Sequence, residues 1–287
     1  MDGILVINKE KGCTSRDVVN KVSKTLKTKK VGHIGTLDPI ATGVLVLCIG
    51  KALKVVELLM DHDKEYIAKF KLGMNTDTLD ITGKVLNTCD KKVTKKEILD
   101  ALNKFQGLIK QEVPKYSAIK VNGKKLYEYA RNNIEVKLPI KEVNIYKLEL
   151  LNYNEEKKEV TIFCKVSKGT YIRSLIRDIG KNLGTYATMT ELERTKLGIY
   201  DIKNSYTLFD IEKGNYKLLD IKDIYPENKK IIINDEILLK KIKNGMVLDK
   251  FYDGKNKMIL DKNKNLIAIY TECSDKNKVK PWKMFVN

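Results

Sequence analysis

A twelve-residue segment, Gly32 to Gly43, constrains the fold of this chain more than any other part of the sequence. It contains three glycines, one proline, one histidine and one aspartate, and it precedes the apolar run Val44 to Ile49. Pro39 restricts Asp38 to extended backbone angles, which fixes the direction of its carboxylate. We therefore predict a tightly specified loop over 31–43 and a buried strand after it. Spacing alone favours a structural turn in which Asp38 bonds to the backbone.

Hydrophobic periodicity predicts strands and helices on both sides of this loop. The predicted strands lie at 3–8, 44–49, 66–72 and 159–166, and the predicted helices at 15–27, 52–60, 94–105 and 170–183. Two of these helices begin with a capping box, Thr14 to Asp17 and Thr94 to Glu97. Because the elements do not alternate as regular βαβ units, we predict an α+β domain on a mostly antiparallel, mixed sheet.

The sequence changes character near residue 229. A helical pattern at 235–243 is followed by short strand candidates near 246–251, 257–260, 266–271 and 282–286, separated by Asn, Asp, Gly and Lys. We therefore predict two domains, a larger one over 1–228 and a small barrel-like one over 229–287.

The chain is strongly basic, with 55 Lys+Arg against 37 Asp+Glu and a formal net charge of +18 in 287 residues. This excess favours an anionic partner. Fifty of the basic residues are lysines, which suit sequence-independent attraction to phosphates. Specific forked contacts favour arginine instead. Only five arginines are present, so each is a candidate for a defined contact: Arg16, Arg131, Arg173, Arg177 and Arg194.

Several classes of protein are disfavoured by the same sequence. No apolar run approaches the roughly 20 residues that span a bilayer, and no basic leader precedes the first strand, so we expect a soluble protein inside the cell. Five cysteines without C-x-x-C spacing argue for reduced thiols rather than disulfides or zinc. With two histidines, no phosphate-binding loop and no dinucleotide fingerprint, we expect no metal and no cofactor.

The segment 32–43 resembles the G-H-T-G-T-L-D-P-x-A-T-G motif of the TruB family of tRNA pseudouridine synthases, which isomerise uridine 55 in the TΨC arm. Six further motifs occur in the family's order: Asn8-Lys9 with Gly12 and Ser15, 64–66, 76–83, 114–120, 167–173, and Leu192-x-Arg194-Thr195-x-x-Gly198. The resemblance covers residues 2 to 200. The last 59 residues are similar in texture to the small PUA-type RNA-binding domain of bacterial members.

The resemblance implies three catalytic residues. Asp38 is implied to be the carboxylate that acts on the ribose, and Arg173 the guanidinium that keeps it ionised and oriented. Base rates would otherwise favour a surface position for a helical arginine. Tyr66 is implied to stack on the extracted uracil, although its alternation with lysines also fits a core aromatic residue.

Further residues are implied to bind the substrate. His33 would fill the gap left in the RNA stack when the uridine is flipped out; its simpler interpretation is a turn histidine. Tyr171 and Leu192 would complete an apolar pocket wall, although each also fits a core position. Lys9 would contact substrate or support the loop.

Two departures and two further acids bear on this site. Glu10 replaces a proline that follows the family's N-K, which leaves the role of Lys9 open, and Ile34 replaces the threonine beside His33. Asp77 and Asp80 could suggest a metal pair, but a supporting or turn-stabilising role fits better because further ligands are missing.

The implied function is isomerisation of uridine 55 by base flipping, in the cytoplasm. The implied partner is the TΨC stem-loop of tRNA, with no membrane, no obligate protein partner and a monomeric chain. An RNA-gripping insertion at about 115–150, which contains the basic-aromatic run 119–131, resembles that of stand-alone bacterial enzymes. Two alternatives stay open: a tRNA chaperone without required catalysis, and a guide-RNA-dependent pseudouridine synthase.

Overall fold

The computed structural model describes residues 1–60 and 62–286. Its α-helices are α1 Ser15–Thr25, α2 Val56–Met60, α3 Lys95–Lys104, α4 Leu126–Arg131, α5 Ile172–Asn182, α6 Leu208–Lys213 and α7 Glu236–Lys243. Its strands are β1 Gly3–Lys9, β2 Val31–Ile34, β3 Thr42–Ile49, β4 Lys64–Leu72, β5 Met74–Thr76, β6 Val85–Thr88, β7 Gly107–Glu112, β8 Lys120–Val121, β9 Lys124–Lys125, β10 Ile140–Asn154, β11 Glu159–Val166, β12 Ala187–Leu197, β13 Tyr200–Asp201, β14 Lys230–Ile233, β15 Leu248–Asp249, β16 Asn256–Asp261, β17 Leu266–Glu272 and β18 Lys278–Met284.

A nine-stranded sheet forms the body of the molecule. Its order is β1-β3-β12-β4-β11-β10-β7, with β2 also paired to β3 and β13 to β12. The pairing of β3 with β12 is parallel, and the other pairings of this sheet are antiparallel. The predicted α+β class on a mostly antiparallel, mixed sheet is therefore confirmed.

One face of this sheet is covered by helices. Tyr66, Ala68 and Phe70 of β4 point into the main apolar core, where they meet side chains of α1, α3, α5 and α6. The α1 and α3 helices begin at the predicted capping boxes, with Thr14 and Thr94 as N-caps. These local signals were sufficient because the cap bonds join residues three positions apart.

The opposite face carries the C-terminal unit. Strands β14 to β18 form a separate open sheet in the order β14-β16-β17-β18-β15, which is consistent with a PUA-like unit; β14 has no counterpart among the predicted strands. Met258, Leu260, Ile269 and Phe285 of this unit share one apolar cluster with side chains of β1 and β3. The two sheets therefore share a core. The 228/229 boundary stays a prediction, and Asn287 lies outside the described residues.

Basic side chains fasten the end of the C-terminal unit to the short 3-10 helix Gly50–Val55. Lys51 Nζ donates to the carbonyl of Phe285 at 2.8 Å, and Lys54 Nζ donates to that of Met284 at 2.6 Å. The contact between the two units is therefore polar at its edge and apolar at its centre.

The predicted loop over 31–43 is wrong in its first four residues and in its last two, Thr42 and Gly43, which begin β3. Val31–Ile34 forms β2, which pairs antiparallel with the second half of β3, so that His33 lies opposite Leu47. The edge of β3 is shared, because β12 pairs with its first two residues. The four residues of β2 include Gly32, so they show no strand pattern in the sequence. Their conformation depends on the edge of β3, which is available for pairing only in the folded chain.

All five cysteines are free thiols. Burial raises the pKa of the Cys48 and Cys164 thiols to about 12, so both are packing groups. Over the described residues, no helix combines the length and the apolar character needed to cross a membrane.

Candidate active site

A cleft of about 1100 Å³ opens beside the loop between β2 and β3. Its walls come from this loop, from β4 and β12, from the start of α5 and from the segment that includes α4. The structure brings six of the seven predicted site residues into the cleft wall: His33, Asp38, Tyr66, Tyr171, Arg173 and Leu192.

Asp38 and Arg173 form an ion pair in this cleft. Arg173 Nε lies 2.9 Å from Asp38 Oδ2, and the side chains retain 7% and 36% of their accessible surface, respectively. The guanidinium also donates from Nη1 to the carbonyl of Thr78 and from Nη2 to that of Tyr116, each at 3.0 Å. Three contacts in different directions fix the guanidinium plane. The structure therefore excludes both a surface arginine and a turn aspartate bonded to the backbone.

Asp80 provides a second carboxylate next to the Arg173 guanidinium. Asp80 Oδ2 lies 3.8 Å from Arg173 Nη1, and Asp80 Oδ1 accepts from Thr78 Oγ1 at 2.9 Å and from the Thr82 amide at 3.0 Å. Asp77 accepts from a backbone amide in a nearby turn at 2.8 Å. Over the part of the chain described, no three metal-ligating side chains form a cluster. Asp80 thus supports Arg173, whereas Asp77 supports a turn.

The electrostatic environment of Asp38 is mixed. Burial raises the pKa of the Asp38 carboxyl above its ordinary value, the charge of Arg173 opposes this, and the charge of Asp80 adds to it. The net direction is upward. Arg173 therefore limits a rise in pKa that burial would otherwise make larger.

We expect turnover to fall as the pH drops through the raised pKa of Asp38, because the action on the ribose that is implied for this carboxylate needs its ionised form. The acid side of the pH profile of turnover should have its midpoint above 3.8, the ordinary pKa of aspartate. Because the folded-state pKa is raised, ionisation of Asp38 also lowers the free energy of unfolding as the pH rises through it. Single-turnover rates from acid to neutral pH would measure this midpoint; a flat profile would contradict the assignment.

Lys9 supports the loop that carries Asp38. This side chain is fully buried, and its Nζ donates to the carbonyls of Cys13 at 2.7 Å, Glu10 at 2.9 Å and Pro39 at 3.5 Å. Burial lowers the pKa of Lys9, and the charge of Asp38 opposes this. The structure does not bring Lys9 into the cleft wall; its ammonium is committed to backbone carbonyls, so it supports the loop and faces away from a substrate.

The start of α1 holds the same loop from the side. The buried Ser15 hydroxyl accepts from the Leu37 amide at 2.9 Å and donates to the Leu37 carbonyl at 3.1 Å. The Gly12 amide donates to the Pro39 carbonyl at 2.8 Å. The residues on both sides of Asp38 are therefore bonded to the N-terminal segment.

Arg194 has a role at this site that the sequence did not assign to it. It is fully buried and donates from Nε to the carbonyl of Val44 and from Nη2 to that of Gly35, each at 2.7 Å. The Tyr66 hydroxyl lies near this guanidinium, whose charge acts on it. Gly43 permits this arrangement, because a Cβ there would lie 2.3 Å from the Arg194 carbonyl oxygen. The available signal was a rare arginine inside the Leu192-x-Arg194 motif.

Tyr66, Tyr171 and Leu192 form the less polar side of the cleft. Tyr66 belongs both to the main core and to the cleft wall, so its two interpretations are compatible. Burial raises the pKa of the Tyr66 hydroxyl, which therefore stays protonated at neutral pH. Tyr171 directly precedes α5, and its amide donates to Gln111 Oε1 at 2.8 Å. Together these side chains offer flat and aliphatic surfaces to a ring.

His33 lies on β2 at the rim of the cleft. Burial lowers the pKa of its imidazole, and the positive charges of Arg16 and Arg194 lower it further, so the ring is neutral at neutral pH. Its Nδ1 is buried and has no hydrogen-bond partner among the described residues. A neutral imidazole ring in the cleft wall suits contact with the face of a nucleobase.

Replacing Arg173 by Lys should reduce turnover by about tenfold to a hundredfold while substrate affinity changes little, because Lys keeps the charge but loses the planar fork. The Lys ammonium cannot bond to Asp38 and to both carbonyls in the observed directions. Single-turnover rates and filter-binding affinities would separate the two effects. Turnover near that of the unmodified chain would remove Arg173 from the catalytic set.

Two family models together match residues 23–224 of the chain. The model of the TruB family pseudouridylate synthase N-terminal domain matches residues 23–172, and that of the tRNA pseudouridylate synthase B C-terminal domain matches 173–224. The sheet β14–β18 lies outside both matches.

Similar proteins extend over most of the chain. A tRNA pseudouridine synthase B of Clostridium tetani is 44% identical over 95% of this chain and 93% of its own length. That of Fusobacterium nucleatum is 52% identical over 71% of this chain and 70% of its own length. A chain of a solved H/ACA ribonucleoprotein bound to a substrate RNA has a TM-score of 0.72 at 24% identity, covering 99% of this chain and 85% of that one, which shows a shared fold.

Proposed function

The chain belongs to the TruB family of pseudouridine synthases, and we propose how it isomerises uridine 55 in the TΨC arm of tRNA. Asp38 is the catalytic carboxylate, Arg173 its orienting partner and Tyr66 the ring that stacks on the uracil. The observation that carries this proposal is the Asp38–Arg173 ion pair, at 2.9 Å, in a cleft lined by aromatic and aliphatic side chains.

The reaction breaks the bond from uracil N1 to ribose C1′, rotates the base and joins C5 to C1′, so that the C5 proton leaves and N1 gains one. An ionised carboxylate can serve in two ways, by attacking C1′ or by abstracting a ribose proton. Asp38 suits either role, since it is the partly exposed member of its ion pair and Arg173 holds one of its oxygens. The second oxygen is left for the ribose.

The uridine must leave the RNA stack before this chemistry can begin. Extraction costs a few kcal/mol, and stacking on an aromatic ring returns about 1 to 3 kcal/mol per base. Tyr66 provides this ring, while Leu192 and Tyr171 enclose the base on other sides. His33 at the rim is placed to fill the gap in the RNA stack, and its neutral ring suits that position.

Two basic regions are proposed to hold the RNA. In the insertion at 115–150, β8 and β9 form a hairpin whose turn residues, Asn122 and Gly123, both have positive φ, and Lys125 and Tyr127 reach the cleft wall. The C-terminal sheet, with its basic helix α7, is the second region, as a PUA-like domain. We propose that the chain acts as a cytoplasmic monomer, without guide RNA or a protein partner.

Tritium release tests this function. The purified chain alone should expel the label from unmodified tRNA that carries uridine tritiated at C5, because the new bond forms at that carbon. Release should reach one equivalent per tRNA with no guide RNA present. A well-folded chain that binds this tRNA and releases no label would instead favour the tRNA chaperone.

A further inference from the structure

Among the described residues, Arg16 is the arginine whose guanidinium has no partner within the protein. Arg173 and Arg194 hold the catalytic loop, Arg177 bonds to two acidic side chains, and Arg131 lies over an aromatic ring at 5.5 Å. In contrast, within residues 1–60 and 62–286 no ion pair or side-chain hydrogen bond involves Arg16. Only five of the 55 basic residues are arginines, and the other four make the contacts given above within the described residues.

The position of Arg16 is also unfavourable for the fold. It is the second residue of α1, where the partial positive charge of the helix N-terminus disfavours a cation. The side chain is exposed and lines the cleft beside His33. Its charge reaches the imidazole, whose pKa is lowered first by burial and then by Arg16. Neither packing nor helix stability explains an arginine here, which points to a partner in the substrate.

We propose that the Arg16 guanidinium binds the RNA phosphate next to the extracted uridine and so holds that nucleotide at the mouth of the cleft. This inference rests on the proposed function, in which His33 fills the position that the uridine vacates. The phosphates beside a vacated position are those that pass closest to His33, and therefore to Arg16. The planar fork of arginine fits two oxygens of one phosphodiester, which a lysine ammonium cannot match.

The first test compares salt dependence. Arg16→Gln should weaken binding of an unmodified TΨC stem-loop about threefold to tenfold at low salt and reduce the slope of log K against log salt by about 0.7 to 0.9, the value of one phosphate contact. Arg16→Lys should restore most of the slope but not all of the affinity. Lys21→Gln is the matched control, because Lys21 lies on the same helix, outside the cleft wall, and pairs with Glu212 at 3.0 Å. An unchanged slope in Arg16→Gln would overturn the proposal.

The second test locates the phosphate. A stem-loop in which one phosphate near the uridine is replaced by a neutral methylphosphonate should bind less tightly to the protein without a substitution. At the linkage that Arg16 contacts, the same replacement should cause no further loss of affinity in the Arg16→Gln variant. Additive losses at every linkage, or a loss that depends on the neighbouring base, would overturn the proposal.

Stability and activity controls separate the possible failures. Arg16→Gln should melt at the same or a slightly higher temperature, because a cation leaves the helix N-terminus. Tritium release by the unmodified chain reports on the proposed function independently. If release occurs while Arg16→Gln behaves as Lys21→Gln does, the inference about Arg16 fails and the function stands.

Discussion

Asp38→Asn should bind tRNA as tightly as the unmodified chain while forming pseudouridine at least about a thousandfold more slowly, a loss equivalent to ~4 kcal/mol on the barrier. The amide is nearly isosteric, so the bonds that hold the loop through Leu37 and Pro39 should persist. It cannot act as an effective nucleophile or base. Removing a negative charge from an RNA-binding cleft should not reduce affinity.

Asp77→Asn is the control for this substitution. It makes the same chemical change in a nearby turn, where an amide oxygen can still accept the backbone hydrogen bond. Thermal unfolding at neutral pH should show Asp38→Asn to be no less stable than the unmodified chain, because the raised pKa of Asp38 means that its charge costs stability there. If Asp38→Asn kept a tenth of the turnover, only ~1.4 kcal/mol would be lost and another carboxylate, with Asp80 first, would have to be catalytic.

Deleting residues from 229 onward should unfold or aggregate the remaining chain. The sequence, in which every motif assigned to chemistry precedes residue 200, favours instead a folded and active core. The structure shows why the core should fail: the deletion would expose the apolar face of β1 and β3, which Met258, Leu260 and Ile269 now cover. Each such side chain contributes about 1.5 to 3 kcal/mol when fully buried, against a total stability of about 5 to 15 kcal/mol.

A point substitution in the shared core tests the same dependence with a smaller loss of stability. Phe285→Ala should cost about 3 to 5 kcal/mol, because this ring is 4% exposed in the shared core. Ile237→Ala, at a position of the same unit that is 71% exposed, is its control. Circular dichroism and chemical unfolding would measure both. A truncated chain with native-like circular dichroism, a cooperative transition and wild-type tritium release would show that the two units fold independently.

Local rules predicted those parts of the fold that depend on neighbouring residues. The alternation over β4 and the capping boxes of α1 and α3 each involve contacts within a few positions, and the structure confirms them. The pairing of β2 with β3 depends instead on which strand edge is open after folding. No periodicity in four residues can report that.

In the candidate site, too, contacts between distant parts of the chain could not be predicted from the sequence. Asp38 was identified through its motif, but spacing alone favoured the wrong partner, because the guanidinium that meets it comes from a helix far along the chain. Buried charges were the hardest to predict: Lys9 and Arg194 are fully buried, against the base rates for such residues. Both are satisfied by backbone carbonyls, which sequence patterns do not display.

The bonds of Lys9, Ser15 and Arg194 to the loop around Asp38 have a thermodynamic consequence for catalysis. Fixing one residue of a flexible backbone costs about 1 to 2 kcal/mol of conformational entropy. A loop already ordered by these bonds incurs that cost during folding, before RNA arrives. The free energy of RNA binding is then available for drawing the uridine out of its stack, and the carboxylate meets the ribose without a further ordering step.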